Sequence, residues 1–230
     1  VLGEPVGAVL SEARLAELID ARAARKPVAY VEDQATGQRR LQYAGFETRF
    51  RMDRSGLEED GCFVSIHNPP LRLVVVGAVH IAQKLLPMAR QAGYDPVVVD
   101  PRGAFGSEAR FPGEEIIDEW PDEAMNQIRP DARTALVLLT HDPKLDDPAL
   151  ELAVRSDAFY IGALGSRKTH GKRVERLLAE GLSQDAIDTI AAPIGLDIGA
   201  SSPAEIAVAV LAQVIQAFRK REIATRMAAV

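Results

Sequence analysis

Apolar positions follow two different rhythms along this chain, and the change between them falls near residue 70. Leu71 to Val76 is a nearly continuous apolar run, the pattern of a strand covered on both faces. Ile81, Leu85, Met88 and Ala92 then recur at helical spacing, predicting a helix over Ile81 to Gln91 that Gly93 ends. Val97 to Val99, Ala135 to Leu139 and Phe159 to Ile161 read as further buried strands. Alternation of this kind predicts a parallel sheet. Asp147-Pro148 predicts the start of an intervening helix by the preferences for N-cap and first-turn residues, and Ser202-Pro203-Ala204-Glu205 predicts the start of the last helix with a complete capping box. In that last helix Ile206, Val210, Val214 and Phe218 lie beside Ala207, Leu211 and Ile215, giving a broad apolar face for the sheet. Residues 71–230 therefore read as an α/β domain, a Rossmann-like and mostly parallel sheet with helices on both faces.

The first seventy residues are patterned differently and read as a small α/β or α+β domain, 1–70. Ser11 can cap a helix carrying Leu15, Leu18 and Ile19 on one side. Three short strands are predicted after it, Val28 to Val31, Phe46 to Met52 and Cys62 to Ile66, separated by turns such as Arg54-Ser55-Gly56. Asn68-Pro69-Pro70 cannot continue a strand ladder and marks the boundary.

Totals narrow the function classes. At 230 residues, 47% apolar and 26% charged, the chain has ordinary globular composition. Its apolar runs are too short for a membrane span and its first residues lack a signal-peptide pattern, so a cytoplasmic protein is expected. The sequence begins at Val1, which leaves a longer gene product open. One cysteine, Cys62, excludes an internal disulfide and a cysteine-built zinc site, and in an apolar strand it reads first as a small hydrophobe, with a thiolate role as the alternative. A net charge of −6 argues against broad nucleic-acid binding, so any anion site must be local.

Open α/β sheets bind ligands beyond the carboxyl ends of their strands, which directs attention to four turns. Gly77-Ala78-Val79-His80-Ile81-Ala82 nearly matches the dinucleotide fingerprint, with Asp100 at the end of the next strand, 23 residues after Gly77. The second glycine is replaced by Val79, whose branched side chain crowds a pyrophosphate. Asp100, followed by Arg102, either meets a ribose hydroxyl or caps the turn. Thr140-His141-Asp142 places three polar side chains at the same sheet edge, with His141 open to a base, ligand-donor or structural role. A metal set of His80, Asp100, His141 and Asp142 is a minority reading that the spacing does not demand.

Gly162-Ala163-Leu164-Gly165-Ser166-Arg167 opens a helix with five Lys or Arg in ten residues, Arg167, Lys168, Lys172, Arg173 and Arg176. Free backbone N–H groups, a hydroxyl and cations together make it the foremost phosphate candidate. Against this, Ser166 can be a plain N-cap and Lys172, Arg173 and Arg176 a solvated face. In the fourth turn Gly195 and Gly199 flank Asp197, which accepts either from a ligand or from its own loop.

Thr140-His141-Asp142, the Tyr160 to Arg167 block and the Pro193 to Ala207 block resemble the signature segments of XdhC/CoxI proteins over roughly residues 71 to 218. Those proteins are accessory factors of molybdenum hydroxylases such as xanthine dehydrogenase. The resemblance implies a non-catalytic factor that binds molybdenum cofactor, as molybdopterin or its dinucleotide. It further implies help in sulfuration by a cysteine desulfurase and insertion into the apo-enzyme. The chain departs from the family's Gly-Ala-Gly-His turn at Val79, and the family's N-terminal glycine- and cysteine-bearing block has no clear counterpart before Cys62. The turns and the resemblance together give as candidate cofactor-binding residues Gly77, Ala78, His80, Asp100, Arg102, Thr140, His141, Asp142, Gly162, Gly165, Ser166, Arg167, Gly195, Asp197 and Gly199. Two other classes stay open, an NAD(P)-dependent oxidoreductase and an interaction scaffold without ligand. A homodimer is also left open.

Overall fold

The structure, a computed structural model, describes residues 10–228, with side chains described through Lys220. The described chain divides into two compact units, one running through Pro69 and the other comprising Pro70–Arg221.

The first unit holds helix α1 (Glu12–Ala23), strands β1 (Val28–Asp33) and β2 (Arg39–Gln42), a short helix α2 (Glu47–Met52), and strands β3 (Gly56–Leu57) and β4 (Cys62–His67). Ser11 caps α1, its hydroxyl accepting from the Arg14 N–H at 3.4 Å. The four strands pair antiparallel in the order β2-β1-β4-β3. Ala29, Val31, Cys62 and Val64 form its core with Phe46, Phe50 and Ile66 packed against them. The strand expected over Phe46 to Met52 is a helix instead. Phe46, Thr48, Phe50 and Met52 satisfy a period of two, but Phe46 and Phe50 are also four apart, and a helix places both rings on this core. The Glu47 carboxylate accepts from the Gly45 N–H at 2.8 Å and fixes the helix start. Cys62 is buried, and burial with the nearby Asp60 carboxylate pushes its thiol above its ordinary pKa, away from a reactive thiolate.

The second unit contains β5 (Leu71–Val76), α3 (His80–Gln91), β6 (Tyr94–Val99), β7 (Ile116–Ile117), α4 (Pro121–Ile128), β8 (Thr134–Leu138), α5 (Pro143–Val154), β9 (Tyr160–Ala163), α6 (Arg167–Ala179), α7 (Gln184–Ile187), β10 (Ile190–Ala191) and, through Arg221, the last helix α8 (Pro203–Ala228). All six strands run parallel in the order β10-β9-β8-β5-β6-β7. Counted within the unit this is 3-2-1-4-5-6 read from the β7 edge, the doubly wound Rossmann order, whose direction reverses between β5 and β8. Leu73, Val75, Val98, Ala135 and Val137 face α3 and α8, whereas Val74, Val76, Val99, Leu136 and Leu138 face α4, α5 and α6. Both faces are covered, which is why the central strands read as unbroken apolar runs.

Strand β6 begins at Tyr94, three residues before the expected Val97, and passes through Pro96. At that point β7 does not yet flank it, since β7 pairs only with Val98 and Val99, so the missing N–H of Pro96 is tolerated as on an edge strand. Helix α5 starts at Pro143, four residues before the predicted Asp147-Pro148. Asp142 takes the cap, its carboxylate accepting from the Lys144 N–H at 3.0 Å, with Pro143 as the first helical residue. Pro148 therefore lies inside the helix, at the cost of one backbone hydrogen bond. The last helix begins as predicted. The Ser202 hydroxyl accepts from the Glu205 N–H at 3.2 Å and the Glu205 carboxylate accepts from the Ser202 N–H at 2.8 Å. Ala207, Val210, Leu211, Val214 and Phe218 are buried, while Ile215 turns outward. No helix among the described residues is long and apolar enough to cross a membrane.

Candidate functional site

The strand-end turns of the second unit are joined into one rim by a chain of specific contacts. At the reversal point Gly77 has φ +110°, and a Cβ there would stand 2.6 Å from the Thr140 methyl. Only glycine lets the β5 and β8 turns approach this closely. Its N–H donates to the Val99 carbonyl at 2.9 Å, tying the turn also to β6. Val79, at the fingerprint's second glycine position, precedes α3 in an extended conformation and packs against the α3–α8 core.

Asp100, at the end of β6, is 1% exposed and its acceptor positions are engaged within the protein. One oxygen accepts from the Ala78 N–H at 2.7 Å and from Arg102 Nη2 at 2.7 Å, the other from the Arg102 N–H at 3.0 Å and Nε at 2.8 Å. Burial alone raises its pKa, but the hydrogen bonds from Arg102 and from the two backbone N–H groups outweigh burial and hold the carboxyl below its ordinary range. Of the two roles foreseen for Asp100, the geometry is that of a turn latch. Arg102 also feels the carboxylates of Asp142 and Asp146 and stacks over the half-exposed Phe105 ring at 4.3 Å.

The β8 and β9 turns are linked through Asp146, which no sequence motif singles out, and Arg173 of the basic helix. The Thr140 hydroxyl donates to Asp146 Oδ1 at 2.5 Å, and Asp146 Oδ2 accepts from Arg173 Nη2 at 3.1 Å. The same nitrogen donates to the Leu164 carbonyl at 3.1 Å. Asp146 and Arg173 are 1% and 2% exposed. Burial raises the Asp146 pKa, and it outweighs the opposing pull of Thr140 and Arg173. Arg173 is therefore no part of a solvated face, and Arg176 is held by Asp147, with Nη2 to Oδ1 at 3.0 Å. A signal for the pair was present. Asp146 sits on the stripe of Leu145, Ala149 and Leu150, and Arg173 lies one turn before Leu177, so each helix carries one charge, of opposite sign, on its apolar side.

Helix α6 opens at Arg167 with Ser166 as N-cap, its hydroxyl accepting from the Thr169 N–H at 3.2 Å. Gly165 has φ +139° and sits against Thr169. Gly162 is buried beneath Ile194 and the Tyr160 hydroxyl, leaving no room for a Cβ. This stacks the β9 turn on the fourth turn, where the Ile194 N–H donates to the Ala163 carbonyl at 3.2 Å. Gln213 of α8 anchors both, because its amide oxygen accepts from the Tyr160 hydroxyl at 2.5 Å and the Gly195 N–H at 2.7 Å. Gln213 carries no sequence motif and emerges only from the packing. Asp197 and Gly199 lie exposed farther along that loop, and His80, His141 and Arg167 are exposed as well. His141 adopts φ 62° at the mouth of a cleft of about 360 Å³ lined by Asp146, Lys168, Thr169, Lys172, Arg173 and Arg176. His80, Asp100, His141 and Asp142 do not form a metal site. Among the described residues no group of three His, Cys, Asp or Glu side chains is arranged to hold a metal ion.

Residues 73–214 match the family model described as the XdhC Rossmann domain. Over 161 residues the chain is 33% identical to the molybdenum cofactor insertion chaperone PaoD of Escherichia coli, covering 70% of this chain and 44% of that protein. Over 160 residues it is 31% identical to a probable xanthine dehydrogenase subunit of Bacillus subtilis, covering 69% and 46%. The chain thus spans less than half the length of these two relatives. A crystal structure of a xanthine dehydrogenase from Bacillus halodurans is similar with a TM-score of 0.70 and 27% identity, covering 95% of this chain and 67% of the other.

Proposed function

The chain belongs to the XdhC family, and from that premise we propose that it binds molybdenum cofactor as cargo and assists its sulfuration and insertion into a xanthine dehydrogenase-type apo-enzyme. The cargo is a pterin with a phosphate or dinucleotide tail, so its site needs close backbone approach for a flat ring system and local positive charge for the tail. The observation that carries the reading is the rim itself. Gly77, Thr140, Gly162, Gly165 and Gly195 come from strand ends separated by up to 118 residues, yet contacts of their own turns, through Asp146, Arg173, Ile194 and Gln213, bind them into one edge. In a chain of net charge −6, the α6 start supplies Arg167 and Lys168 at that edge.

In this role the chain does no redox chemistry. Ser166, Arg167 and the backbone of the Gly165 turn hold the anionic tail, with the Gly77 and Gly195 turns on either side and Thr140, His141, Asp142, Asp197 and Gly199 around the ring system. A cysteine desulfurase and the apo molybdenum hydroxylase are the partners, in the cytoplasm. Combined Ser166→Ala and Arg167→Ala substitution should weaken binding of isolated molybdenum cofactor by about tenfold or more, since each removes a bond to an anion. Unchanged affinity would remove the α6 start from the site.

A second reading, NAD(P) binding, has the strand order in its favour, because dinucleotides lie across this reversal point. Two residues weigh against it. Val79 stands where the fingerprint has the glycine that lets a pyrophosphate approach, and Asp100 has its oxygens engaged by Ala78 and Arg102. Calorimetry with NAD(H) and NADP(H) separates the readings.

A further inference from the structure

The cleft behind His141 adjoins the Gly165 turn, whose glycine sits against Thr169, and its chemistry is unusually one-sided. Its lining carries four cations, Lys168, Lys172, Arg173 and Arg176, against the single carboxylate Asp146. Arg176 is engaged by Asp147, and one nitrogen of Arg173 is engaged by Asp146 and the Leu164 carbonyl. The other two nitrogens of Arg173, Nε and Nη1, are buried with no hydrogen-bond partner, although the residue is only 2% exposed. Buried donors are almost always satisfied, so a guanidinium that lines a cleft and keeps two nitrogens idle is a binding group awaiting an acceptor. Asp146 and the Leu164 carbonyl fix its plane in advance, which lowers the cost of ordering it on a ligand.

The surroundings agree with an anion of concentrated charge. Lys168 and Lys172 are one turn apart on α6 and flank Thr169. Helix α6 has no acidic residue in its first turn. Cations at this end oppose the helix dipole unless an anion lies between them.

We propose that this cleft is a binding site for a phosphate monoester dianion, with Arg173 at its base, Lys168 and Lys172 on its wall, the Thr169 hydroxyl as a further donor and His141 at its mouth. That the phosphate belongs to a pterin rests on the proposed function, whereas the affinity for phosphate does not.

The test titrates the full chain with inorganic phosphate at low ionic strength, followed by phosphorus NMR and calorimetry. Saturable binding is expected, and Lys168→Ala with Lys172→Ala should weaken it about tenfold or more. These two residues are exposed, so the double variant is expected to fold, whereas substituting Arg173 strips a buried carboxylate of its counter-charge. Lys84→Ala, on the opposite face of the sheet, serves as the control and should leave the affinity unchanged. No saturation, or equal affinity in the double variant, overturns the proposal. Phosphate binding of the expected kind without uptake of molybdenum cofactor upholds the cleft and overturns the cofactor reading. Cofactor uptake with neither phosphate binding nor an effect of the two lysine substitutions overturns the cleft and leaves the cofactor reading standing.

Discussion

Replacing Gly77 with alanine tests whether the β5 and β8 turns are locked together at the sheet's reversal point. Two penalties are expected. A residue with a Cβ at φ +110° is strained by about 1–3 kcal/mol. The new Cβ also stands 2.6 Å from the Thr140 methyl, far inside ordinary contact, and relieving such overpacking costs about 1–3 kcal/mol more. The sum, about 4 kcal/mol, is a large part of the roughly 5–15 kcal/mol typical of a domain. Thr140→Ser separates the two penalties. It deletes the methyl at a cost of about 1 kcal/mol but keeps the hydroxyl that donates to Asp146. In the double variant the overpacking should vanish while the backbone strain remains, so the substitutions should couple favourably by about 1–3 kcal/mol. Urea unfolding read by circular dichroism and by Trp120, the chain's single tryptophan and a residue of the second unit, supplies the energies. Additivity within about 0.5 kcal/mol, or an unaffected Gly77→Ala, would refute the close approach.

Arg173→Met should destabilise the second unit by about 3 kcal/mol at neutral pH, because it leaves the Asp146 carboxylate buried without its counter-charge. That penalty should shrink as the pH falls, since an orphaned acid with a raised pKa escapes by taking a proton; a pH-independent loss would contradict the ion pair. Glu205 is held down to about 2 by the N–H and hydroxyl groups of Ser202 and Ser201. Being depressed, it contributes stability above its ordinary pKa of 4.5, and that contribution is lost as the pH falls toward 2. Glu205→Gln should therefore flatten the decline in melting temperature over that window, and an unchanged acid profile would contradict the capping box.

What could be read from the sequence follows from how locally each feature is encoded. The parallel strands were legible because burial on both faces leaves continuous apolar runs such as Leu71 to Val76, and the α8 start was legible because Ser202 and Glu205 satisfy each other within four residues. Phe46 to Met52 misled because its aromatic spacing fits both a strand and a helix, and only the core of β1 and β4 decides between them. Asp147-Pro148 misled because Asp142-Pro143 is an equally good start four residues earlier. Of the rim, the glycine turns announce themselves, while Asp146, Arg173 and Gln213 act across 27, 27 and 18 residues of sequence and gain meaning only once the strands are ordered.

The central claim is that this rim takes up molybdenum cofactor. Its most direct test is anaerobic gel filtration of the full chain mixed with isolated molybdenum cofactor, the pterin being detected by the fluorescence of its oxidised form. The account predicts that pterin elutes with the protein in an equimolar amount. Pterin found wholly in the small-molecule fractions would contradict it.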